Sequence, residues 1–84
     1  MYYTYIIFSE SINQYYCGST QNLHNRLAEH NAGETKSIKH GCPWKLIGYL
    51  QFSSRAEAIK KEKQIKARGI KRWLEYGMPQ LTII

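Results

Sequence analysis

The run from Gln14 to Asn31 constrains this chain more than any other stretch. Gln14-Tyr15-Tyr16-Cys17 has the aromatic density of a short strand. Gly18-Ser19-Thr20 follows as a tight corner, and the hydroxyls of Ser19 and Thr20 are placed to accept the unpaired N–H groups of a first helical turn. Leu23 and Leu27 then repeat at i, i+4, which marks the buried face of a helix. Arg26 and His30 have the same spacing one step round, so both heads point into one cleft. Gly18 lets backbone approach a ligand closely, and a cationic helix face opening from it suits a phosphate group.

The rest of the chain reads as two more strands and two more helices. Tyr2 to Phe8 is rich in aromatic and β-branched residues, and alternation puts Tyr3, Tyr5 and Ile7 on one face and Thr4, Ile6 and Phe8 on the other. A connection of hairpin length, residues 9–13, joins it to the second strand, Gln14 to Ser19, with Tyr16 and Gly18 on one face. In the natural hairpin register Tyr5 and Tyr16 become cross-strand neighbours. The first helix ends near Asn31-Ala32-Gly33, with Asn31 a helix-end residue and Gly33 supplying a left-handed terminus. Residues 34–43 read as an exposed polar loop carrying Lys36, Lys39 and His40. In the third strand, Trp44 to Phe52, alternation aligns Trp44, Leu46, Gly48, Leu50 and Phe52, which predicts the most buried strand. Ser54 and Glu57 form a capping box that opens a second helix running to Arg68, with Gly69 as its stop. A short third helix over Ile70 to Tyr76 turns Trp73 and Leu74 inward and ends at Gly77-Met78-Pro79, and the apolar tail to Ile84 packs down.

Bulk properties narrow the function. With 84 residues the chain is expected to be one domain, 1–84, with a modest core. No stretch is long and apolar enough for a membrane span, and the N-terminus lacks a signal pattern, so the expected location is cytoplasmic, without a membrane partner. Two cysteines do not make a disulfide framework, and no C-x-x-C or H-x-x-x-H spacing supports a zinc site from Cys17, His30, His40 and Cys42. The net charge of +6 resides in residues 55–72, where eight cations face two carboxylates, leaving the remainder neutral. Lys60, Lys63, Lys66 and Arg68 are the candidates for contact with a polyanion; a merely solvated basic face is the alternative.

Glu62 breaks the pattern of its helix. At ~100° per residue, Ala58, Ile59 and Ile65 define an apolar stripe, and Glu62 falls near its middle, where pattern calls for Leu or Ile. A carboxylate there needs a cation, either Lys66 at i+4 or a metal ion. Arg26 offers a planar two-pronged donor for a phosphoryl oxygen that lysine does not reproduce.

Tyr3-Thr4-Tyr5, then Tyr16-Cys17-Gly18, then Arg26, Trp44-Lys45-Leu46 and Ala58-Ile59-Lys60-Lys61-Glu62, in that order, resemble the GIY-YIG nuclease superfamily, most closely its small single-domain members, over about residues 1–72. Two positions depart from the pattern: Tyr3 stands at the family's glycine, and Cys17 at an aliphatic position. The resemblance implies an α/β fold of the α+β type, a three-stranded antiparallel sheet flanked by helices, and phosphodiester hydrolysis with one divalent metal ion. It assigns Tyr5 and Tyr16 to the catalytic site, together with Arg26, with His30 in a secondary role, and Glu62 to the metal. Because tyrosine titrates at about 10, such a base needs cations beside it. A single carboxylate suits Mg²⁺ or Mn²⁺, ions that retain several waters.

The expected activity is therefore metal-dependent cleavage of nucleic acid, DNA in the first instance, with sequence recognition low, structural or supplied by a partner protein. Two rivals are a nucleic-acid-binding module of the same fold that turns over poorly, and an adaptor whose basic helix docks onto an acidic protein.

Overall fold

The computed structural model describes residues 1–36, 38–76 and 82–83. Its frame is an antiparallel sheet of β1 (Tyr2–Ser9), β2 (Gln14–Thr20) and β3 (Lys45–Phe52) in the order β2-β1-β3. Three α-helices accompany it: α1 (Leu23–Asn31), α2 (Arg55–Arg68) and α3 (Ile70–Tyr76). A two-residue strand, β4 (Thr82–Ile83), pairs with Gly48 and Tyr49 and extends the sheet to four strands; the packing expected of the tail's apolar side chains lies outside the described residues. The expected helix stop at Gly77-Met78-Pro79 lies outside the described residues. Among the described residues no helix is long and apolar enough to cross a membrane.

Each face of the sheet buries its own cluster. Ile6, Cys17, Leu50 and Ile65 pack together on the α2–α3 side, with Trp73 and Leu74 against them. Tyr5, Ile7, Ile38 and Trp44 pack on the α1 side, with Tyr16, Leu23 and Leu27 against them. The alternation read from β1 and β2 is the one the structure has, because both strands are regular over their paired length.

Strand β3 is not regular. The ladder to β1 shifts register between Ile6, opposite Gly48, and Ile7, opposite Leu46, which leaves Ile47 unopposed. Such a bulge reverses the alternation beyond it. Trp44 and Leu46 therefore join the α1-side cluster while Leu50 and Phe52 join the other, and the single face expected for these residues does not exist. The most buried strand is β1 and not β3: Thr4, Tyr5, Ile6 and Ile7 are buried in succession, covered on one face by each cluster.

The helix termini follow local chemistry. Ser54 Oγ accepts the Glu57 amide, as the capping box requires, and Gly69 ends α2 with φ +94°. Gly33, φ +78°, follows α1. The cap of α1 is Asn22, whose Oδ1 accepts the Asn25 amide, and not Ser19 or Thr20. Those two residues stay in β2, paired with Thr4 and Tyr3, because the ladder to β1 continues past Gly18.

The loop after α1 is tied down rather than simply exposed. Ile38 is buried and accepts the Trp44 indole N–H at 2.9 Å, and a single 3-10 turn, Lys39–Gly41, follows it. Asn31 does more than close its helix: its amide donates to the Trp44 carbonyl and accepts the Trp44 amide, joining the end of α1 to the start of β3. On the other face Thr4 donates to the Ala58 carbonyl at 2.6 Å, which fixes α2 one turn before Glu62.

Candidate active site

Register decides how the two motif tyrosines meet. Tyr5 lies opposite Gly18, and Tyr16 opposite Ile7, so the tyrosines are diagonal neighbours two positions apart and not a facing pair. The Tyr5 ring lies across Gly18, where a Cβ would stand 2.5 Å from the phenol oxygen. The close approach that glycine permits is thus made by Tyr5, and Gly18 itself is buried.

Helix α1 brings His30 against both rings. The imidazole is inaccessible, its Nε2 lies 2.7 Å from the Tyr5 hydroxyl, and its Nδ1 lies 2.9 Å from Thr35 Oγ1. Tyr16 meets the same ring edge-on at 5.4 Å between centroids. His30, expected to play a secondary part, is therefore the hub on which the two tyrosines converge. Thr35 was not singled out in the sequence, since an isolated loop threonine carries no pattern.

Arg26 stands beside this group, with its guanidinium 2.9 Å from Glu29 and about a third of the side chain exposed. Its charge acts on both ring systems. Burial pushes the Tyr5 phenol well above its ordinary value, and Arg26 works against that rise. The His30 imidazole is held below its usual range, by burial first and then by Arg26. At neutral pH the pair is thus a phenol hydrogen-bonded to a neutral imidazole. Arg26 is shared between this group and a cleft of about 250 Å³ that is lined also by Tyr2, Ser19, Thr20, Gln21, Arg55 and Ala58. Arg55 enters here from the first turn of α2, so two arginines from different helices share one opening; the sequence offered Arg55 only as part of a basic segment.

On α2, Glu62 lies on the packed side as the helical wheel requires, with 19% of its side chain exposed. Lys66 donates to it at 2.8 Å and passes 5.3 Å from the Tyr16 ring centroid. The ion pair weighed as the structural alternative for Glu62 is therefore formed. Among the described residues no three His, Cys, Asp or Glu side chains converge on one point. Glu62 would be the lone carboxylate for a divalent ion, a donor set that a hard ion retaining most of its waters accepts. Cys17 lies in the α2-side core, its thiol pushed up to about 12 by burial and then by Glu62, while Cys42 donates to the His30 carbonyl on the opposite face. That separation removes the zinc alternative.

The basic candidates do not form one surface. Lys60, Lys63, Lys66 and Arg68 are all exposed on α2, but only Lys66 reaches the tyrosine side. Lys60 borders a depression with Phe52, Glu57, Lys61 and Gln64, and Arg68 lines a groove shared with α3.

Comparison with known proteins gives a match of residues 1–72 to the GIY-YIG catalytic domain. A UPF0213 protein of Staphylococcus haemolyticus is 39% identical over 66 residues, which are 77% of this chain and 79% of that protein. One from Halobacterium salinarum is 37% identical over 67 residues, covering 79% of this chain and 86% of the relative. One from Listeria innocua is 44% identical over 57 residues, 67% of this chain but only 63% of the relative's length.

Proposed function

The chain belongs to the GIY-YIG catalytic-domain family, a nuclease-type fold, and from that premise we propose that it hydrolyses phosphodiester bonds in nucleic acid, DNA first, with Mg²⁺ or Mn²⁺ at Glu62. The observation that carries this reading is the buried Tyr5–His30 hydrogen bond beside Arg26.

A buried phenol whose ionisation is disfavoured is a poor resting base, but it serves as a relay. With Nδ1–H donating to Thr35, His30 Nε2 accepts the Tyr5 proton while the Tyr5 oxygen takes one from the attacking water. No phenolate accumulates, and the proton ends on an imidazole that was neutral at the start. The water oxygen forms the new P–O bond as the bond to the leaving alkoxide breaks. Arg26 meets the charge on the non-bridging oxygens with its planar fork, and Arg55 across the cleft holds the neighbouring backbone. Tyr16 orients the imidazole edge-on. A divalent ion at Glu62, when bound, neutralises phosphoryl charge. Gly18 contributes by admitting the Tyr5 ring; Lys60, Lys63, Lys66 and Arg68 supply attraction for the backbone. Sequence selection falls to substrate shape or to a partner protein.

One observation favours the rival binding module: Glu62 is engaged by Lys66. A cleavage assay on supercoiled, branched and single-stranded DNA with Mg²⁺ or Mn²⁺ separates the two. Turnover by the wild type that drops about a hundredfold in both Arg26→Lys and Arg26→Ala supports the enzyme, the usual loss for one transition-state donor. DNA binding without turnover on any substrate leaves the binding module standing.

A further inference from the structure

The cations of α2 sort to two flanks. At 3.6 residues per turn Lys66 and Arg68 point about 160° apart. Lys66 belongs to the Glu62–Tyr16 side, and Arg55 to the cleft at Arg26. On the opposite flank Lys61, Gln64, Ala67 and Arg68 meet Arg72 and Trp73 of α3 around a groove of about 790 Å³. Among the described residues three cations and no carboxylate line it; Glu57 and Glu75 lie in the adjoining depressions, where Lys60 and Lys71 offset them.

The groove also has an aromatic wall. Trp73 is half-buried, packed at one side on the α2-side core and facing the groove at the other. A cationic channel beside an aromatic surface is the combination that holds single strands, in which cations track the phosphates and unpaired bases stack. From Lys61 to Arg68 the channel follows about 10 Å of helix, a short wall in a molecule only 29 × 26 × 22 Å across. A duplex presents its bases already stacked and has no use for Trp73.

We propose that the α2–α3 groove is a second nucleic-acid site, separate from the cleft at Arg26, that takes a single-stranded segment. The proposal rests on the nucleic-acid reading above and adds to it: one chain grips its substrate at two places on different sides of α2. A junction between duplex and single strand, or a flap, satisfies both sites at once, and a plain duplex satisfies one.

The test is binding in EDTA, where no cleavage intervenes. A labelled oligothymidylate and a labelled blunt duplex are titrated across rising KCl against the wild type and the K61Q/R68Q/R72Q variant, which keeps a long polar side chain at each position and removes the charge. For the single strand the slope of log affinity against log salt should fall by about two, since each lost phosphate contact removes about 0.7. R68Q/R72Q, altered only at exposed positions, should lose about 1.4 by the same count. Trp44 is 3% exposed and sits on the other face, so quenching of tryptophan emission by oligothymidylate reports Trp73; it should occur in the wild type and fade in the triple variant. A single-strand slope unchanged in both variants, or emission unchanged on binding, overturns the proposal, whatever happens to the duplex. A wild type that fails to cut DNA with Mn²⁺ yet shows the slope change loses the nuclease reading and keeps the groove.

Discussion

The Tyr5 ring occupies the space that a side chain at Gly18 would need. The two residues face each other across the β1–β2 ladder, and a Cβ on Gly18 would stand 2.5 Å from the Tyr5 oxygen and 2.7 Å from the carbon bearing it. Gly18→Ala should therefore cost about 1–3 kcal/mol, as overpacking does, although alanine normally suits a strand better than glycine. Displacing the phenol should also uncouple it from His30, so cleavage falls further than stability accounts for. Urea melts beside a nicking assay at a temperature where the variant is folded check both; a neutral, active Gly18→Ala would remove the steric argument.

The two tyrosines should separate in stability. Tyr5→Phe leaves His30 Nε2 buried without a partner, at a cost of about 1–3 kcal/mol. Tyr16 is half-exposed and meets His30 through its ring, so Tyr16→Phe should cost well under that. Cleavage should fall more in Tyr5→Phe. Chemical denaturation of both variants tests the ordering, and equal losses would show that the Tyr5–His30 bond is not what fixes the imidazole.

Acid should destabilise the protein through His30. Its folded pKa is depressed, by burial first and by Arg26 next, whereas the unfolded chain takes a proton near the ordinary value of about 6.5. Below that pH the unfolded state binds more protons than the folded one, so the His30 contribution, fully present above about 6.5, is lost as pH falls toward the folded value. Melts of the wild type and His30→Gln from neutral to mildly acidic pH should show the wild type losing its margin and the variant, lacking the titrating group, losing less. Parallel curves would count against a buried neutral imidazole.

Glu62 and Lys66 make a test without turnover. Glu62→Gln breaks one partly exposed ion pair and should change metal-free stability by at most about 1 kcal/mol. It should also abolish any rise in melting temperature caused by Mn²⁺, since a ligand stabilises only the state that binds it. Lys66→Met frees the carboxylate from its competing cation and should enlarge that rise. If Mn²⁺ shifts the wild type and Glu62→Gln equally, the ion binds elsewhere.

Local pattern was enough to specify the elements and most of their faces. Leu23 and Leu27, the Ser54–Glu57 box, Gly69, and the alternation of β1 and β2 each state a local preference that the fold keeps, because capping, helical period and pleat depend on neighbours a few residues away. Glu62 was legible as an anomaly on an apolar stripe, and it does lie on the packed side of α2.

Tertiary structure decided the rest. Register placed Gly18, not Tyr16, opposite Tyr5, and a bulge at Ile47 sent the two halves of β3 to different faces. Neither is written in local pattern, since a ladder is chosen by the fit of both strands and the layers above and below them. The burial of His30 between Tyr5 and Thr35, and the meeting of Arg26 with Arg55 at one cleft, depend on how α1 and α2 dock. Docking is set by contacts such as Thr4 with Ala58 and Asn31 with Trp44, made between residues far apart in the chain, and a hydrogen bond of that kind leaves no periodic mark on a sequence.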